Sequence, residues 1–141
     1  MLASTDRPWL ALGLGCRHGC PAEVLLALIA QSLRDHGVDI GAVSALASID
    51  SKCDEPGLWR VAEQLGLPLV FFSAAQLRAH ESQLTHRSAR AFEHTGCHGV
   101  AESAALALAG QMSGKPAWLR ITYRKNHQAT LALASSPVAG G

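Results

Sequence analysis

An apolar run that breaks into glycine and then into a helix has few structural solutions, and this sequence opens with one. Leu10-Ala11-Leu12-Gly13-Leu14-Gly15 leads into Cys16-Arg17-His18-Gly19-Cys20, and Pro21 begins a helical pattern. The order reads as strand, loop, helix. Leu10, Ala11, Leu12 and Leu14 make the strand apolar on both faces, which suits a central strand covered by helices on each side. Proline is tolerated in the first helical turn because its missing N–H has no intrahelical partner. In open α/β sheets ligands sit outside the carboxyl ends of the strands, and backbone N–H groups at the following helix start favour anions.

The first strand is predicted from about Trp9 to Gly15 and the first helix from Pro21 to about His36, with Gly37 ending it. Val24, Leu25, Leu28, Ile29 and Leu33 recur there at helical spacing. Ala42 to Ile49 fits a second strand. The loop Asp50 to Gly57 follows, with Asp54 a candidate N-cap and Glu55 placed to favour the positive end of the helix dipole. That helix runs to about Leu65, Gly66 closes it, and Leu67 to Phe72 give a third strand. Ser73 caps a short helix from Ala74 to about His80. Glu81 to Phe92 is polar and reads as a helix or a mobile flap. Glu93 to Gly99 is a third glycine-bearing loop, leading into an alanine-rich helix from Val100 to Ala109 that Gly110 ends. Lys115 to Tyr123 and His127 to Ala134 read as two strands joined at Arg124-Lys125-Asn126. Residues 1–7 and the tail from Ser135 are expected to be flexible ends. The expected fold is one three-layer α/β/α domain over 1–141, its core about 9–134, with a mixed, mostly parallel sheet and a carboxyl-terminal antiparallel hairpin.

Charge and cysteine usage exclude several classes of partner. Lys and Arg total 12 against 11 Asp and Glu, so a net charge of +1 provides no broad cationic face for nucleic acid or a membrane surface. No apolar run is long enough to span a bilayer and no leader pattern opens the chain, so a cytoplasmic location is expected. Cys16, Cys20, Cys53 and Cys97 are too scattered for a disulfide framework and read as small, partly buried apolar groups. Cys16 and Cys20 with His18, or Cys97-His98, lack the closely spaced pairs of a zinc site, and no metal is expected. A dinucleotide site also fails: Gly19 falls one position late for the third fingerprint glycine, and no phosphate-loop lysine precedes a Ser or Thr. No cofactor is expected.

Three segments together resemble one family. Gly13-Leu14-Gly15-Cys16-Arg17, then Ala47 to Leu58 (ASIDSKCDEPGL), then Gly99-Val100-Ala101-Glu102-Ser103-Ala104-Ala105 look like the motifs of the CobE and CbiG carboxyl-terminal domain family of cobalamin biosynthesis. The likeness spans roughly Leu10 to Ala134, and the order and placement of the motifs on three loop-to-helix turns make the set specific. CbiG proteins carry additional amino-terminal sequence and are described as opening a cobalt-precorrin δ-lactone. This chain begins almost at the domain, so the free-standing CobE type of the oxygen-dependent pathway is the expectation. The resemblance implies a protein that binds a corrin-ring (precorrin) intermediate. Alternatives are a hydrolase opening a precorrin lactone, as in CbiG, and a non-catalytic accessory partner of another pathway enzyme.

A corrin precursor is a flat, apolar tetrapyrrole macrocycle fringed with carboxylates. Arg17 is the first candidate for a carboxylate contact, since a guanidinium binds bidentately and Gly15 lets the backbone approach. The alternative is a solvated loop arginine, or one paired with Asp50 or Glu102. Lys52 is a second carboxylate contact, with Asp50 orienting it or Arg17, and Asp54, Glu55, Cys16 and Gly99 complete the candidate binding set. Glu102, in the first turn of an apolar helix, is a general acid or base if burial raises its pKa, or an acceptor for a neighbouring loop's N–H groups. His18 and His98 are the titrating catalytic candidates. Cys16 and Cys53 are nucleophiles only if loop N–H groups lower their pKa.

Overall fold

The computed structural model describes residues 8–137. Strand β1 (Leu10–Cys16) lies at the centre of a five-stranded sheet of order β3-β2-β1-β5-β4, formed with β2 (Ala45–Ile49), β3 (Leu69–Phe72), β4 (Trp118–Lys125) and β5 (Ala129–Ser135). β1 pairs parallel with β2, and β2 with β3, while β5 runs antiparallel to both β1 and β4. Four strands therefore point one way and β5 alone is reversed. This is the expected mixed, mostly parallel sheet with its carboxyl-terminal antiparallel hairpin. Helices α1 (Ala22–Asp35) and α2 (Pro56–Leu65) cover one face; α3 (Ala74–Arg78) and α5 (Val100–Ser113) cover the other, with α4 (Ala89–Thr95) leading into α5.

The period of two in the strands gives the sheet a leucine face and an alanine face. Leu10, Leu12, Leu14, Leu46, Leu131 and Leu133 pack with α1 and α2. Ala11, Ala45, Ala47, Ala132 and Ala134 pack with α5, whose Ala101, Ala104, Ala105 and Ala109 are all buried. Small side chains on both partners bring the α5 backbone down onto β1. At Gly13 the approach is closest: a Cβ there would fall onto the Ala101 carbonyl oxygen and 2.7 Å from the Ala105 nitrogen.

Several boundaries differ from the sequence expectation. β1 begins at Leu10 and extends through Cys16, and Pro21 is the residue before α1 rather than its first turn. Residues Ile40–Ala42 form a 3-10 turn, so β2 starts at Ala45 rather than Ala42, and β3 starts at Leu69. Asp54 does not cap α2; Glu55 occupies the N-cap position, and its side chain turns away to bond elsewhere. Glu93, His94 and Thr95 belong to α4, capped at Ser88, rather than to a loop. α5 continues through Gly110 to Ser113, where partly buried Met112 still packs against the alanine-face core, and the left-handed residue that ends it is Gly114 at φ 71°. The hairpin turn lies at residues 126–128 instead of 124–126, since Asn126 Oδ1 accepts from Gln128 and Ala129 N–H and so closes the turn two residues later. β5 includes Ser135; the expectations for residues 1–7 and 138–141 lie outside the described residues.

Gly13→Ala must push α5 off the sheet and is expected to cost about 1–3 kcal/mol, as overpacking does. Urea unfolding checks this, with the exposed Gly41→Ala as a control expected to stay within about 0.5 kcal/mol of the parent.

Candidate functional site

Beyond the carboxyl ends of β1 and β2 the structure opens into a cleft of about 980 Å³. The loops after β1 and β2, the segment from His86 to Ala101, and the β4–β5 hairpin form its walls. Four permanent cations line it: Arg17, Lys52, Arg90 and Lys125. So do five of the chain's seven histidines, His18, His86, His94, His98 and His127. No Asp or Glu does, among the described residues. A chain of net charge +1 thus places four of its twelve Lys and Arg, unaccompanied by a described carboxylate, on one concavity.

The first loop is held from behind. Glu55 is 3% exposed, and its carboxylate accepts the Gly19 N–H at 2.8 Å and bonds His18 Nδ1 at 2.8 Å. Burial raises this carboxyl, but the Gly19 N–H, the His18 contact and the Lys52 charge together outweigh burial and hold it below its ordinary 4.5. Arg17 is exposed at the cleft mouth, with no carboxylate partner among the described residues; its backbone N–H bonds Gln128 O at 2.9 Å, joining the loop to the hairpin. The alternative pairing with Asp50 or Glu102 is absent among the described residues. Cys16 lines the cleft, but burial, with Cys20 and Glu55 beside it, pushes its thiol up to about 12 against the opposing pull of Lys52. It is therefore no thiolate nucleophile near neutral pH. Cys53 is exposed, contrary to the expected burial of the thiols, whereas Cys20 and Cys97 are buried.

The third loop has the same construction. Glu81 Oε1 lies 2.9 Å from His98 Nδ1, and Glu81 Oε2 accepts the His98 N–H at 3.4 Å. Glu102 is 1% exposed and does not line the cleft. Its carboxylate accepts from Thr85 N at 2.8 Å, His86 N at 3.3 Å, Tyr123 N at 3.0 Å and the Thr85 hydroxyl. With four donors on two oxygens it acts as an anchor for loop N–H groups, the second of the two roles considered for it.

Of the residues singled out from the sequence, Gly15, Cys16, Arg17, His18, Lys52, His98 and Gly99 meet in the cleft. Asp50 and Asp54 are exposed beside it and bond to neither Arg17 nor Lys52; Glu55 and Glu102 lie behind its walls. Arg90, His86 and Tyr123, with Lys125 and His127 on the hairpin, were not singled out. The polar cluster from Thr85 to Arg90 and the polar turn at Lys125 were the available signals. Neither reveals which wall it joins, because that depends on chain closure across the sheet.

Comparison with known proteins agrees with this architecture. A family model described as cobalamin synthesis G C-terminus matches residues 10–134. Protein CobE of a Sinorhizobium species is 44% identical over 102 residues, 72% of this chain and 66% of that one. Cobalt-precorrin-5A hydrolase of Priestia megaterium is 31% identical over 128 residues, 91% of this chain and 32% of the relative. The chain thus spans about two thirds of the first of these relatives and about a third of the second. The crystal structure of CobE, a protein from the cobalamin (vitamin B12) biosynthetic pathway, superposes with a TM-score of 0.89 at 44% identity, covering 93% of this chain and 92% of that one. The cobalamin biosynthesis protein chiG of Agrobacterium tumefaciens gives a TM-score of 0.67 at 32% identity, covering 89% and 96%.

The Glu55 carboxylate adds stability that is complete above pH 4.5 and is lost as pH falls through its lower folded value. Glu55→Gln is expected to lower Tm near neutral pH and to flatten the wild-type fall in Tm below pH 4.5, read by calorimetry across that range. With iodoacetamide near pH 8, exposed Cys53 is expected to be alkylated first and Cys16 to resist, as peptide mass mapping would record.

Proposed function

The chain belongs to the cobalamin synthesis G C-terminal family of cobalamin biosynthesis proteins, and on that footing we propose that it binds a corrin-ring intermediate of the aerobic pathway in the cleft above β1 and β2. The observation that carries this reading is the charge inventory of the cleft: four permanent cations and five histidines with no carboxylate among the described residues. A precorrin brings an apolar plane and a rim of acetate and propionate groups, which call for apolar area and several separate cations. Val100, Ala101 and Ile49 supply apolar lining, and Arg17 and Lys52 enter from two different loops. Arg17 has no acidic partner to displace among the described residues, so its charge is available to the ligand at little desolvation cost. The protein carries, delivers or protects the intermediate. Its free thiols fit the reducing cytoplasm.

One observation favours a second reading, hydrolysis of a precorrin lactone. His98 and His18 each direct Nδ1 at a carboxylate, Glu81 and Glu55 respectively. A histidine donating Nδ1–H in this way keeps Nε2 free as an acceptor, as a general base for water requires. Glu102 is not that base, since its lone pairs are occupied by loop donors.

Incubating the chain with a panel of precorrin intermediates, following spectrum and mass together, separates the readings. A spectral shift at constant mass supports binding, and a catalytic mass change abolished by His98→Ala supports hydrolysis. Arg17→Ala and Lys52→Ala are each expected to weaken binding about tenfold, the scale of one charge-assisted hydrogen bond. Unchanged affinity in both variants, or no intermediate bound at all, would overturn the site.

A further inference from the structure

Two rings distant in sequence stack face to face in the cleft wall. The His86 imidazole and the Tyr123 phenol have centroids 4.0 Å apart and planes inclined by 8°. Both line the cleft, Tyr123 half-buried and His86 exposed. One carboxylate holds both residues, since Glu102 accepts the backbone N–H of His86 and of Tyr123 and also that of Thr85. The stack is thereby cantilevered from the buried first turn of α5. A β-bulge between Ile121 and Arg124 leaves the Tyr123 N–H out of the strand ladder and free to reach Glu102. Lys125, two residues along β4, and Arg90 line the same cleft.

A rigid, flat ring surface flanked by two cations suits one class of ligand: planar, conjugated and anionic at its rim. We infer that the Glu102-held His86–Tyr123 stack is the subsite that recognises the plane of the ligand, a conjugated ring packing on the outer face of His86 while Lys125 and Arg90 meet carboxylates at its edge. This rests on the tetrapyrrole reading of the cleft. Glu102 is a positioning residue here and touches no ligand. Stacking on an aromatic face tolerates differences in substituents, so the stack selects for flatness and the surrounding cations select for charge.

Two probes test this with the full chain: uroporphyrin I, a planar octacarboxylate, and 1,2,3,4-butanetetracarboxylate, which is flexible and has no ring. His86→Ala is expected to weaken uroporphyrin binding about tenfold and to leave the flexible acid within about twofold. His86→Phe should restore the porphyrin affinity. Arg17→Ala should weaken both probes. In the free protein, Glu102→Gln should move the His86 ring-proton resonances away from the upfield position that the stacked Tyr123 ring imposes, with porphyrin affinity falling in parallel. If Glu102→Gln does not fold, the exposed His86 variants decide the question. Porphyrin affinity unchanged in His86→Ala, or equal loss of both probes, overturns the subsite; Arg17→Ala still weakening both probes would then leave the cleft reading standing. Failure of the wild-type chain to bind either probe overturns both.

Discussion

The close approach of α5 to β1 is the contact on which the rest of this structure depends. It exists because Gly13 has no side chain and because the helix presents alanine at Ala101 and Ala105. With the helix backbone resting on the central strand, its amino-terminal turn stands beside the end of β1, and Gly99, Val100 and Ala101 become cleft wall. The same seating buries Glu102 and brings its carboxylate within reach of β4 and of the segment at Thr85. Replacing the alanine face of the sheet with leucine would lift the helix, and the third wall of the cleft would leave with it.

Electrostatics in the cleft follow from where the acids went. Glu55, Glu81 and Glu102 lie near it, yet each is committed to the backbone of a cleft segment: Gly19, His98, and Thr85 with His86 and Tyr123. These backbone N–H groups share the work of stabilising the carboxylates with His18 and the Lys52 charge at Glu55 and with His98 and Arg87 at Glu81. Among the described residues, the arginines and lysines of the walls have no acidic residue beside them in the cleft lining, which is how a nearly neutral chain presents a cationic concavity. The three glutamates make the walls rigid while the cations stay available.

Much of this organisation was legible in the sequence because it is local. Short apolar runs, the 3.6-residue pattern, Pro21, Ser73 and the helix-ending glycines located the elements, and the three glycine-bearing loops marked the ligand end of the sheet. Where the reading missed, a distant contact overrode a local signal. Gly110 reads as a helix end, but α5 continues because its following turn is still packed. Asp54 and Glu55 read as cap and dipole partner, but Glu55 instead reaches 36 residues back to Gly19. The hairpin turn shifted because Asn126 closes it with its own side chain.

By itself the sequence determined the α/β class, the central position of the first strand, the family, and the loops that supply Arg17 and Lys52. These depend on side-chain periodicity and on residue types at short spacing, which are properties of neighbouring residues. Only the tertiary structure decided which charges face the cleft and which lie behind it, and that His86 and Tyr123 share one wall. Those depend on closing the chain across the sheet, where a single buried carboxylate selects its donors by geometry that no local spacing encodes.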